Sequence, residues 1–278
     1  MDHEFGGAMK SGEYKILQWD GAFDGQWSDG AVEKYRREGF DGVSLTAGAG
    51  EKLRDLGFLQ DLPGLRYLDV LAKVKDDLDA FRIGTLEALT LATGSRGKVP
   101  QVIQEQLRAL CLTDRPGIAV RDKWPILERL RLGAWRGSDL ELLRGAEHLS
   151  SVHLEGRRQE GTLAGIDGCV SLTEFTSINY SVEDSAPLRN LAELRTVKLM
   201  SAPPGPPHRR ILLSDLAGGK LEKIWISNAD ELVDVGVLHS LPQLREVRLI
   251  HCRLREADQR ALDSLSAVNV KVIDPRAS

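Results

Sequence analysis

The sequence predicts an α/β solenoid, a stack of short coils with a parallel β-sheet on one side and short helices and loops on the other. Three observations carry this. In Leu191-Ala-Glu-Leu194-Arg-Thr-Val197-Lys-Leu199 the apolar residues fall at relative positions 1, 4, 7 and 9. The third apolar residue of that pattern recurs at Val43, Leu68, Leu89, Leu110, Leu130, Val152, Phe175, Val197, Ile224, Val247 and Val268, at intervals of 25, 21, 21, 20, 22, 23, 22, 27, 23 and 21 residues. Periods of this length belong to solenoids rather than to a domain with one central core. Finally, the blocks match in detail, as in Leu65-Arg-Tyr-Leu68-Asp-Val70, Leu107-Arg-Ala-Leu110-Cys-Leu112, Leu149-Ser-Ser-Val152-His-Leu154 and Leu244-Arg-Glu-Val247-Arg-Leu249.

The physical reason is a period of two in a short strand. Val197 and Leu199 point to one face and Lys198 to the other. A single coil cannot bury its apolar face alone, whereas stacked coils close a continuous leucine core behind a parallel sheet. With strands about 4.8 Å apart, the anchors span roughly 50 Å, enough for a protein-sized partner.

These LxxLxL blocks resemble the leucine-rich repeat family, over roughly residues 40 to 272. The resemblance implies a curved solenoid with the parallel sheet on its concave face and short helices and loops on the convex one. It also implies capture of a partner protein on the concave face. One departure is clear. The family places Asn or Cys three residues after the last leucine, but here those positions read Lys73, Gly94, Arg115, Trp135, Arg157, Tyr180, Ala202, Ala229 and Cys252. Only Cys252 fits, so irregular turns are expected.

In chain order, residues 1–12 are Gly-rich and polar and are expected to be disordered. Tyr14 to Trp19 reads as a strand, and Ser28 or Asp29 caps a helix through about Glu38 that Gly39 closes. Residues 13–39 are read as an N-terminal cap over the first coil, 40–252 as the repeats, and 253–278 as a C-terminal capping helix and edge strand. The spacing of Asp20, Asp24 and Asp29 does not match a calcium loop. Gly48-Ala-Gly50 reads as a turn. Short helical turns are expected within Glu51 to Leu62, Asp139 to His148 and Asp184 to Leu191, and loops over Ala92 to Val99 and Glu155 to Gly161. Ser201 to Arg210 holds four prolines in five residues, a stiff, extended insertion rather than a helix, which reads as an irregular connecting loop, with a recognition arm or a ligand for a proline-binding module as the functional alternative. Arg253 to Leu265 is the clearest amphipathic helix, followed by an edge strand over Val268 to Val272 that Pro275 stops.

Composition bounds the function. The net charge is −4 with both signs interspersed, which argues against a dedicated nucleic-acid or anionic-membrane surface. Cys111, Cys169 and Cys252 are odd in number and lie in different repeats, as expected of reduced thiols in a cytoplasmic protein. Asp2 and Glu4 stand where a signal peptide would be basic, and no apolar run reaches membrane-spanning length.

Candidate site residues come from the strand face opposite the core. The central exposed row is expected to hold Ser44, Asp69, Thr90, Cys111, Arg131, His153, Thr176, Lys198, Trp225, Arg248 and Asn269. Tyr67, Arg129, Glu174, Lys223 and Glu246 precede it, and Glu155, Ile178, Met200, Ser227 and Ile250 follow it. From these, Tyr67, Asp69, Arg129, Arg131, His153, Glu155, Glu174, Thr176, Lys198, Met200, Lys223, Trp225 and Arg248 form the expected partner-binding face. Trp225 between Lys198 and Arg248, near Met200 and Ile250, has the make-up of an interface anchor. Its alternative is a side chain that merely covers the sheet. Arg131, His153 and Thr176, with Glu155 and Glu174, form a polar group suited to an acidic or polar ligand. As a catalytic centre this group lacks a pocket and a positioned substrate.

No phosphate-binding loop, nucleotide-binding glycine triplet, GxSxG, HExxH or paired CxxC occurs, and the histidines do not lie at metal-ligand spacing. No cofactor or metal is expected. The leading reading is a non-enzymatic, cytoplasmic protein-binding module, one version being a bacterial protein that neutralises a toxin or regulates an enzyme by masking it. The alternative is an enzyme, or part of one, using the His153, Arg131 and Glu174 surface. Nucleic-acid binding through Arg129, Arg131, Lys198, Lys223 and Arg248 is opposed by the interspersed Glu174 and Glu246.

Overall fold

In a computed structural model of the chain, which describes residues 13–20, 27, 29–46, 52–266 and 268–273, the apolar pattern becomes two compact units, 1–133 and 134–278. The expectations for residues 1–12, Asp24, Ser28, Gly48 to Gly50 and Pro275 lie outside the described residues.

In the first unit β1 (Ile16–Asp20), β2 (Gly42–Thr46), β3 (Tyr67–Leu71), β4 (Ala88–Leu91), β5 (Ala109–Thr113) and β6 (Arg129–Trp135) follow one another in parallel. The division between the units falls within β6. Register is set by the apolar positions. Val43, Leu68, Leu89, Leu110 and Leu130 are mutual partners, and Leu45, Val70, Leu91, Leu112 and Leu132 are the next row. Slipping any strand by one residue would expose both rows, so the pattern admits only this pairing. β1 extends it, with Leu17 beside Val43 and Gln18 beside Ser44, so the segment read as a cap contributes a further strand to the sheet. Between β1 and β2 runs α1 (Asp29–Glu38), whose Ala31 and Tyr35 are buried.

The second unit repeats the scheme with β7 (Ser151–Gly161), β8 (Glu174–Val182), β9 (Thr196–Met200), β10 (Lys223–Ala229), β11 (Glu246–Cys252) and β12 (Asn269–Ile273). Val152, Phe175, Val197, Ile224 and Val247 are all fully buried. The connecting segments are mostly single 3-10 turns, such as Glu141–Leu143 and Ala186–Leu188. α3 (Glu256–Asp263) buries Leu262, after the shorter α2 (Val120–Lys123) of the first unit.

Three expectations are corrected. Glu155 to Gly161 is not a loop. It continues β7, and Gln159, Glu160 and Gly161 pair with Tyr180, Ser181 and Val182 after a register shift near Asn179. Arg158 and Asn179 take positive φ there, which lets both strands turn the same corner and keep pairing. At the other end, Val247 pairs with Val270 and Leu249 with Val272, not with the valines two places earlier. Val268, Val270 and Val272 alternate, so either register places valines inward, and pairing settles a choice that hydrophobicity leaves open. Lys271, not Asn269, therefore stands in the central row beside Arg248. The proline-rich segment, in which the Pro203–Pro204 bond is cis, is not an extended arm. It folds back through Gly205 N–H to the Ala202 carbonyl at 2.8 Å, is held by the Ser201 hydroxyl donating to Pro206, and places His208 against Ala229.

Of the turn positions compared with the family's Asn or Cys, Arg115, Trp135, Tyr180, Ala229 and Cys252 point inward, whereas Lys73, Gly94, Arg157 and Ala202 are exposed. Tyr180 is buried with its hydroxyl donating to the Thr162 carbonyl at 2.8 Å, and Cys252 Sγ lies 3.5 Å from the Ile226 carbonyl. Arg115 is the extreme case, fully buried and paired to Asp77 at 2.7 Å, while Thr93 donates to the other oxygen of Asp77. The guanidinium also lies over the Phe81 ring at 5.8 Å. Removing one member of such a pair strands the other charge, which costs far more than the pair contributes. Asp77→Ala is expected to lower stability by about 3–5 kcal/mol in urea denaturation, and adding Arg115→Met to restore most of it. A cost below about 1 kcal/mol for the single change would contradict the buried pair.

Candidate functional site

Alternation along each strand that buries Val197 and Leu199 presents Thr196, Lys198 and Met200 on the opposite face. In the second unit the register makes three outward rows. His153, Thr176, Lys198, Trp225, Arg248 and Lys271 form the central one. Ser151, Glu174, Thr196, Lys223, Glu246 and Asn269 lie on one side, and Glu155, Ile178, Met200, Ser227, Ile250 and Ile273 on the other. The second flank is largely aliphatic, which single residues read one block at a time do not reveal.

Trp225 is held from both sides. The Arg248 guanidinium lies 4.2 Å and Lys198 Nζ 5.0 Å from its ring centroid, one cation from each neighbouring strand. Each cation is itself held by a carboxylate of the preceding row, Lys198 by Glu174 at 3.4 Å and Arg248 by Glu246. Exposed cation–π contacts contribute roughly 0.5–1 kcal/mol each, and partly exposed ion pairs less. Their combined effect is to fix the ring before any guest arrives. The indole N–H is sheltered and has no hydrogen-bond partner among the described residues.

The other expected residues divide. Lys223 is exposed, whereas His153, Glu155 and Met200 are partly buried in their rows. Thr176 is 5% exposed, so its neighbours rise above it and it offers little contact area. Tyr67, Asp69, Arg129 and Arg131 belong to the first unit. There Asp69 pairs in register with Ser44 and Thr90, and Arg131 with Cys111. Among the described residues no group of three or more His, Cys, Asp or Glu is arranged to hold a metal, and no helix is long and apolar enough to cross a membrane. All three cysteines are buried and free, and burial pushes the Cys169 thiol up to about 12.

Two groups, the half-buried Asp69 and the buried His208, titrate in opposite senses. Burial pushes the Asp69 carboxyl up to about 6, with the Ser44 hydroxyl at 3.4 Å working weakly against it. Burial pushes His208 down to about 4, its Nδ1 accepting from the Val182 N–H at 3.0 Å. His208 titrates below its unfolded value, so its contribution is complete above about pH 6.5 and drains as pH falls towards 4. Asp69 titrates above its unfolded value, so its contribution is complete below about pH 4 and is lost as pH rises through 6. The two effects, each at most on the order of 3 kcal/mol, oppose each other in one window. Asp69→Asn is expected to make the unfolding midpoint fall more steeply between pH 6.5 and 4 than in the wild-type protein. An unchanged slope would refute the burial of a protonatable Asp69.

No family model and no curated protein matches the sequence. Solved structures do. An internalin from Listeria monocytogenes superposes with a TM-score of 0.60 at 17% identity, the match covering 84% of this chain and 76% of that one. The leucine-rich repeat ectodomain of the plant membrane receptor kinase GASSHO1/SCHENGEN3 from Arabidopsis thaliana, solved in complex with Casparian Strip Integrity Factor 2, gives a TM-score of 0.57 at 16% identity. That match covers 87% of this chain and 31% of the ectodomain. At such identities the likeness is one of fold, and the fold is a leucine-rich repeat solenoid.

Proposed function

We propose that this leucine-rich repeat chain is a non-enzymatic module that captures a partner protein on the outward strand face of its second unit. The observation that supports it is the clamped Trp225, set between Lys198 and Arg248 and beside the aliphatic row of Met200 and Ile250. A large ring already held in place loses little freedom on binding, and such residues dominate interface energetics. The aliphatic flank supplies area to desolvate, and Lys223 and Glu155 supply a polar rim. The plant ectodomain, solved with Casparian Strip Integrity Factor 2, lends the reading general support.

In its finer form the proposal is a masking role, in which the partner is a toxin or an enzyme whose surface the strand face covers. The buried free thiols favour a reducing compartment, and we assign the protein to the cytoplasm on that ground.

A photo-crosslinker placed at Lys223 identifies the partner, which is then purified and titrated against variants. Trp225→Ala is expected to weaken binding by about 2 kcal/mol or more, roughly 30-fold, with little change in stability. Affinity unchanged by Trp225→Ala, with the crosslink mapping elsewhere, would refute this face as the binding surface.

A further inference from the structure

Where the first unit's chain leaves the sheet, cations of successive repeats come together. Lys52-Leu53 pairs in parallel with Lys73-Val74. Lys75 N–H to the Leu53 carbonyl and Asp76 N–H to the Arg54 carbonyl, each 3.0 Å, carry the pairing onward, and Val74 N–H reaches the Thr93 carbonyl of the next repeat. A cleft of about 730 Å³ opens here, with Arg54, Lys73, Lys75 and Arg96 in its wall and Leu53 and Val74 as its apolar part. Among the described residues no carboxylate lines it.

At several other places neighbouring repeats set opposite charges side by side, as in Arg66 with Glu87, Arg108 with Glu128, Arg195 with Glu222 and Lys220 with Glu193. At the cleft the alternation stops. Among the described residues Lys73, Lys75 and Arg96 form no ion pair, and Arg54, its side chain 93% exposed, has only Asp55 at 4.0 Å. Asp77, which accepts from the cleft residue Thr93, is already neutralised by buried Arg115. Like charges on adjacent strands repel, so these cations together set up a positive local field. The backbone is also open. Gly94 has φ +73° and nothing within 4 Å of where a Cβ would stand, so no side chain blocks the approach to it.

We propose that this cleft binds a small phosphate-bearing molecule of nucleotide size. Its phosphates lie among Arg54, Lys73, Lys75 and Arg96, and its apolar or planar part rests against Leu53 and Val74. The volume falls within the roughly 300–1,000 Å³ of small-molecule sites, and the apolar part distinguishes the cleft from a plain basic stripe. The cleft residues all belong to the first unit, whereas the strand face proposed above belongs to the second.

ADP is the probe, titrated calorimetrically into the full chain at low and high salt. Saturable binding of one ADP per chain, weakened by salt and competed by inorganic pyrophosphate but not by adenosine, is expected. Lys73→Glu with Lys75→Glu should lose at least about 10-fold in affinity. Arg54→Gln, at a side chain too exposed to matter for folding, should lose roughly 3-fold or more, and Arg260→Glu in the second unit should change nothing. Absence of saturable binding by ADP and pyrophosphate would overturn the proposal. So would binding unaffected by the cleft variants, or affected equally by Arg260→Glu. A short single-stranded oligonucleotide that binds more tightly than ADP and displaces it would also overturn it, marking a nucleic-acid surface instead.

Discussion

A single coil of this chain has no interior. Leu194, Val197 and Leu199 become buried only because Leu221, Ile224 and Ile226 of the next coil lie against them, and the backbone ladder between β9 and β10 fixes the spacing at which they meet. Every other feature depends on that mutual burial. It requires the strands to be parallel and in register, because a one-residue slip would expose a whole row. It also forces the residues between the leucines outward, where they form rows whose composition the core does not restrict. The result is a division of labour within each strand, with one face set by packing and the other left for recognition.

That constraint is also why so much of the architecture is legible in the sequence. Within each unit the anchors, Val43 to Leu130 and Val152 to Val247, pair as their spacing implies, and the outward positions of Lys198, Trp225 and Arg248 follow from alternation alone. The signal fails where its physical basis weakens. In Val268-Asn-Val270-Lys-Val272 hydrophobicity repeats every second residue and does not specify which valine is the anchor. The extension of β7 is polar and Gly-containing although its partners Tyr180, Ser181 and Val182 are buried, so no apolar period marks it. Asp77 and Arg115, 38 residues apart, are two charges of the kind normally left in water. Nothing local in the sequence announces that they neutralise each other in the interior.

The two candidate surfaces differ in the same respect. Trp225 is visible from one block, since an aromatic residue in an otherwise polar row stands out. Its clamp needs the register of three strands, each contributing one member. The basic cleft needs three repeats superposed at the position after the strand, because Arg54, Lys73, Lys75 and Arg96 look like scattered surface cations when read along the chain. Interspersed charge summed over the sequence hides a local departure from alternation. Solenoids are prone to this, because residues some 21 positions apart become nearest neighbours.

Thiol labelling along β9 tests the central claim most directly. With the native cysteines buried and silent, Lys198→Cys, at a side chain that is 24% exposed, is expected to react with a maleimide in the native protein, more slowly than in the denatured chain. Val197→Cys and Leu199→Cys should remain protected until the protein unfolds. Equal reactivity at the three positions, or protection at 198 with reaction at 197 and 199, would contradict a sheet with leucines behind it and a recognition face in front.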